Sequence, residues 1–173
     1  EGRKRDAAFL LDGRRIRPGR DRECAVIWEQ ADKSMLFPEL SFMENLCFTM
    51  EFASGNPIKR RRMRDRIRRE QEELFGKAVV LKAAGELTKR EKYALVYHRI
   101  LLQRPKFVFC IQPFKNAGLA QRERIWELQR MLLQNGIALI IPTISMADSL
   151  SIADRIIRLH TQGEAEEWKR ISF

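Results

Sequence analysis

The chain reads as an α/β domain with a mainly parallel sheet and an inserted helical subdomain at about 41–104. Three observations predict this. Short, wholly apolar runs such as FVFC (Phe107 to Cys110) and IALII (Ile137 to Ile141) alternate with amphipathic segments, as buried parallel strands do. Two Ser/Thr-x-x-Glu boxes, Ser41/Glu44 and Thr88/Glu91, mark helix starts. Between residues 41 and 104 the pattern is helical throughout, with no strand signal, so this stretch interrupts the βα alternation. The 173 residues are expected to form a single domain.

In order, Phe9-Leu10-Leu11 and Arg14 to Ile16 flank Asp12-Gly13, a hairpin with a tight turn. Cys24 to Trp28 is a short buried strand, with Trp28 expected to fill the sheet edge or, alternatively, to stack on a base. Glu29 to Lys33 is polar, and Met35 to Glu39 is an apolar turn around Pro38. A helix from Ser41 carries Phe42, Leu46 and Met50 at four-residue spacing. Pro57 opens the next helix and Gly76 closes it. Its expected buried stripe is Met63, Ile67 and Leu74. The helix after Thr88 presents Ala94, Leu95, His98, Leu101 and Leu102 to one side and stops at Arg104-Pro105. Gln121 to Asn135 forms a further helix, with Ile125, Leu128, Met131 and Leu132 inward and Gly136 as its stop. Ile137 to Ile141 is a second buried strand, Ser145 to Ala153 a short helix, and Arg155 to Leu159 a strand. Thr161 to Glu164 turns into a polar tail.

Forty-five per cent hydrophobic residues exclude a disordered chain, and no apolar run is long enough to span a bilayer. The net charge of +10 favours an anionic partner. Cys24, Cys47 and Cys110 have no metal spacing and read as buried free thiols. His98, among apolar residues, reads as a partly buried core histidine. His160 is placed at the surface, and two distant histidines give no metal site. The chain begins with Glu rather than Met and reads as a piece of a longer protein.

Six segments, in order, resemble the ATP-binding domain of ATP-binding cassette (ABC) transporters, most closely the degenerate second cassette of bacterial sugar importers. AFLLDGRRI is similar to the early hairpin. VIWEQADKSMLFPELSFMENL is similar to the Q-loop and its L-x-P-x-L-(S/T)-x-x-E-N continuation, and places Glu29 and Gln30 at the Q-loop. LTKREKYALVYHRILLQRPK resembles the signature helix, and FVFCIQPF lies on the Walker B strand. GLAQRERI lies on the D-loop, and IALIIPTISMADSLSIADRIIRL on the H-loop region. The resemblance implies a P-loop NTPase fold, ATP and Mg²⁺ as cofactors, and pairing with a second cassette. It also implies contact between the helical subdomain and a membrane permease, and a cytoplasmic location at that permease.

The motif residues depart from the family. The signature L-S-G-G-Q is replaced by Leu87-Thr88-Lys89-Arg90-Glu91, whose side chains obstruct close approach of a phosphate to the backbone. The Walker B Asp position is Ile111, the following Glu is Gln112, the D-loop Asp is Ala120, and the H-loop His falls on Ser145. No G-x-x-x-x-G-K-(S/T) occurs in these residues; it either precedes Glu1 or has been lost. Losing a general base alone typically costs 10²–10⁴ in rate. The chain alone is therefore expected to be a hydrolysis-impaired pseudo-ATPase, with Glu29, Gln30, Thr88, Lys89 and Arg90 at nucleotide-contact positions and Gln112 and Ser145 at degenerate catalytic ones.

The run KRRRMRDRIRR (Lys59 to Arg69) stands outside this pattern. Its cations sit at the positive end of their helix and Glu70, Glu72 and Glu73 at the negative end, opposite to what the macrodipole favours. Two readings stay open. One is a solvated face with Arg66–Glu70 and Arg69–Glu73 pairs. The other is a surface on which Arg60, Arg61, Arg62, Arg64 and Arg68 bind nucleic acid or an acidic protein. The second would suit a non-catalytic regulatory or scaffold domain.

Overall fold

A computed structural model describes residues 9–11, 13–49, 57–144, 153–159 and 165–169. The expected helix from 145, the 161–164 turn, His160 and Ser145 lie outside them.

The centre is a three-stranded parallel sheet in the order β3 (Cys24–Ile27), β4 (Phe107–Cys110), β5 (Ala138–Ile140). The period of two along each strand separates two faces. Ala25, Ile27, Val108 and Cys110 point into the main core, and Cys24, Val26, Phe107, Phe109 and Ile111 into a smaller one. The main core is closed by α5 (Lys89–Gln103) and α6 (Leu119–Gln134), through Tyr97 and Ile100 from the first and Ile125, Leu128 and Leu132 from the second. On the smaller side, Ile16 arrives from the antiparallel hairpin β1 (Phe9–Leu11) and β2 (Arg14–Ile16), whose turn holds Gly13 at φ 74°. Glu23 anchors that hairpin by pairing with Arg14 and, at 2.9 Å, with Lys106.

The helical portion has its own core. The segment after α1 (Ala31–Ser34) leads to α2 (Phe42–Cys47), then α3 (Pro57–Phe75), α4 (Lys77–Leu81) and a 3₁₀ turn at Ala84–Glu86. Phe42, Leu46, Ile67, Val80, Leu87 and Leu95 pack together there. The Ser41/Glu44 box is formed, and the fully buried Asn45 stitches the preceding turn to α2 by accepting from the Phe37 N–H at 2.8 Å and donating to Phe37 and Leu40 carbonyls. Gly85 lets that turn close: a Cβ there would meet the Pro38 carbonyl oxygen at 3.3 Å.

Several expectations are corrected. Met63 and Leu74 are exposed at 44% and 63%, so Ile67 and the polar Gln71 alone hold α3 to the body. Trp28 is 55% exposed and does not fill the core. The helix from Ser41 ends at Cys47 among the described residues. The buried face of α5 is wider than its aliphatic spacing implied, because Tyr93, Val96, Tyr97 and Ile100 face the sheet while Leu95 faces the helical core. α6 begins two residues earlier, at Leu119. β5 flanks the sheet, with Ala138 and Ile140 exposed rather than buried. The expected polar tail holds a strand, β7 (Ala165–Lys169), paired antiparallel with β6 (Arg155–Leu159). The capping of α5, the three buried free cysteines and the parallel core hold as read. No helix among the described residues is long and apolar enough to cross a membrane.

Candidate functional site

The sheet ends its parallel strands at one edge, which is where open α/β folds bind ligands. Beyond β3, Glu29 and Gln30 turn the chain into α1, with Gln30 in the left-handed region (φ 50°). Ser34 steadies that turn by donating from its hydroxyl to the Glu29 and Gln30 carbonyls at 3.2 and 3.3 Å. Beyond β4, the Ile111 N–H continues the ladder to the Ile27 carbonyl at 2.8 Å. Gln112 then also takes a positive φ (42°), its N–H bonding the Pro142 carbonyl at 3.2 Å. Lys115, in the loop that follows, donates to the Glu29 carboxylate at 2.6 Å. The structure thus brings Glu29, Gln30 and Gln112 to one edge, and Lys115 closes across it.

Thr88, Lys89 and Arg90 lie elsewhere, at the start of α5. The Thr88 N–H and hydroxyl donate to Glu91 at 2.7 and 2.8 Å, and the Glu91 N–H returns to Thr88 at 3.3 Å. Burial raises the Glu91 carboxyl, but the two bonds from Thr88 outweigh it, so its pKa is lowered. Lys89 and Arg90 are exposed and line an open cleft of about 370 Å³ against the start of α6, with Tyr93, Gln121, Arg124 and Glu127. Arg124 donates to Glu127 at 2.8 Å, and this bond, with smaller help from the charge of Arg90, lowers the Glu127 pKa. Burial, then the neighbouring Asp32 carboxylate, pushes the Tyr93 phenol far up, so it stays protonated. The cleft is a mixed-charge surface that can accept an anion at Lys89 and Arg90.

Sequence reasoning missed Lys115, Tyr93, Gln121, Arg124 and Glu127. Lys115 was findable, because it follows an apolar strand at the edge where ligands bind. The cleft residues had no signal beyond helical spacing, since the pairing of α5 with α6 is a tertiary event. The helix-borne Arg60, Arg61, Arg62, Arg64 and Arg68 belong to neither group; they lie along α3, all exposed except the half-buried Arg64.

The edge does not fit Mg²⁺. Hard cations need oxygen ligands. The position next to the strand end holds Ile111, packed into the smaller core, and the nearby Glu29 carboxylate is engaged by Lys115. No cluster of three or more His, Cys, Asp or Glu side chains suited to a metal occurs among the described residues.

No family model matches the chain. Among curated proteins, it is 26% identical over 167 residues to the spermidine/putrescine import ATP-binding protein PotA of Protochlamydia amoebophila, covering 92% of this chain and 42% of that protein. The ribose import ATP-binding protein RbsA of Bacillus licheniformis is 25% identical, over 79% of this chain and 28% of its own length. The xylose import ATP-binding protein XylG of Escherichia coli is 26% identical, over 45% and 15%. The chain therefore spans less than half the length of these relatives. Among solved structures, CbiO1 of Clostridium perfringens, described as part of an ABC transporter complex, superposes with a TM-score of 0.66 at 17% identity, over 86% of this chain and 60% of that one. The fold is that of an ABC ATPase, and the chain is a distant homologue of ABC transporter ATP-binding domains.

Proposed function

We propose that this chain is a degenerate ATP-binding domain of a sugar-type ABC importer, impaired in hydrolysis and acting through contacts. One observation carries the reading. At the end of β4 the side chain that would hold the metal is Ile111, on the sheet face away from α5 and α6 and packed in an apolar cluster. Its neighbour Gln112 can orient a water only where phosphate and metal are already held. The ribose and xylose import relatives support the sugar assignment. In this reading a second cassette meets Lys89 and Arg90 at the start of α5, and a permease meets the helical portion, placing the chain at the cytoplasmic face of a membrane. The tilted Phe37–Phe48 pair, ring centroids 4.7 Å apart and both rings exposed, supplies an apolar patch there.

Titration calorimetry of the full chain with ATP and Mg²⁺, with a phosphate-release assay, tests the impairment. The expected result is no binding in the low micromolar range and no turnover above background. Low-micromolar affinity or measurable turnover overturns it.

A further inference from the structure

We propose that the first half of α3 is a docking helix for double-stranded DNA, reading phosphates rather than sequence. From residue 59 to 69, eight of eleven side chains are Lys or Arg. Only Ile67 and Gln71 of the helix are buried, so its first three turns stand off the body. At 3.6 residues per turn, Arg61, Arg62, Arg66, Arg68 and Arg69 fall within about 100° of the direction opposite Ile67 and Gln71. All five are exposed, and of their ion pairs one is formed, Arg66–Glu70 at 2.9 Å. The helix has no acidic residue in its first turn, so the macrodipole adds to the positive field there. Glu70, Glu72 and Glu73 confine the cationic contact to the segment before them.

The shape selects the polyanion. A helix about 10–12 Å across fits the B-DNA major groove, about 12 Å wide. The major groove of duplex RNA is too narrow to admit it. Single strands are held largely by aromatic stacking, and residues 57–74 contain no aromatic side chain. A helix lying on a lipid surface needs an apolar face opposite its cations. Here that side is turned to the protein through Ile67, and the exposed Ile58 and Met63 lie about 140° apart around the axis.

The test is fluorescence anisotropy of a labelled 20-base-pair mixed-sequence DNA duplex with the full chain between 50 and 200 mM NaCl. The expected dissociation constant near physiological salt is roughly 10⁻⁴–10⁻⁶ M, falling steeply in strength with salt. Arg61→Gln/Arg62→Gln/Arg66→Gln/Arg69→Gln should lower the log–log salt slope by about one per arginine removed. The four-Lys variant at the same positions should restore it. A charge-matched control, Arg15→Gln/Arg20→Gln/Arg22→Gln/Lys33→Gln, should bind almost as the parent does. Circular dichroism checks that the helix persists. The proposal is overturned by the absence of salt-dependent duplex binding or by equal loss in the control. It is equally overturned if an RNA duplex, the single strand, polyglutamate or phosphatidylserine vesicles bind as well as the DNA duplex.

Discussion

α3 and α5 are the two longest helices of the helical stretch that precedes β4, 19 and 15 residues, and they are built on opposite terms. α5 begins with a complete capping box, carries Glu91 in its first turn and buries seven side chains. α3 has no acidic group in its first turn, no basic group in its last, and two buried side chains. Where α5 needs hydrogen-bond partners, Thr88 and Glu91 supply them, and where it needs packing, both cores do. α3 is poor on each count and rich only in exposed charge. A helix that satisfies its own termini is a fixed part of the frame, and α5 positions Lys89, Arg90 and Tyr93. A helix whose charges oppose its dipole has a composition that stability alone does not explain.

The contrast can be broken most severely in the core. Leu95→Ala should lower stability by about 2–5 kcal/mol, because a fully buried side chain leaves a cavity. Chemical denaturation measures it, and a loss below 1 kcal/mol would show that α5 is not the shared support described. The second effect is pH-dependent. His98, edge-on to Phe75 at 5.1 Å, has its pKa lowered from 6.5 to about 4, first by burial and then by the charge of Arg124. The folded state thus prefers neutral imidazole. The stability this gives is full above the unfolded value near 6.5 and is lost as pH falls toward 4. Its size is roughly 2–3 kcal/mol, and His98→Phe should flatten the melting-temperature profile across that window. Glu91 and Glu44, both lowered, add a further loss at still lower pH, as they protonate. Third, Thr88→Ala should cost about 1 kcal/mol through the lost cap. Smallest, Ile58→Asp should stabilise by about 0.3–1 kcal/mol by giving α3 the acidic first turn it lacks. No gain in melting temperature would mean that the reversed charge of α3 carries no penalty.

Local signals transferred well to the structure. Ser41/Glu44 and Thr88/Glu91 specify their own hydrogen bonds, so both boxes were legible as spacing. The apolar runs of β3 and β4 were legible because both faces of those strands are covered. β5 was misread for the complementary reason: an apolar run does not state whether both sides will be covered, and Ile140 stays exposed. Met63 and Leu74 were misjudged because helical periodicity gives a stripe but not the body that would cover it, and α3 stands away over its first turns. At the sheet edge, Glu29, Gln30 and Gln112 were placed by motif order. The Glu29–Lys115 pair, spanning 86 positions, is set by two strands lying side by side and was not visible in either segment.

α5 has one more consequence, for cooperativity. Leu95 completes the helical core while Tyr93, Ala94, Val96, Tyr97 and Ile100 complete the sheet core. Neither hydrophobic cluster can melt and leave this helix intact, and neither is whole without it. The two regions are therefore one folding unit: calorimetry should record a single transition, and a fragment ending before Thr88 would lack the element on which both halves condense.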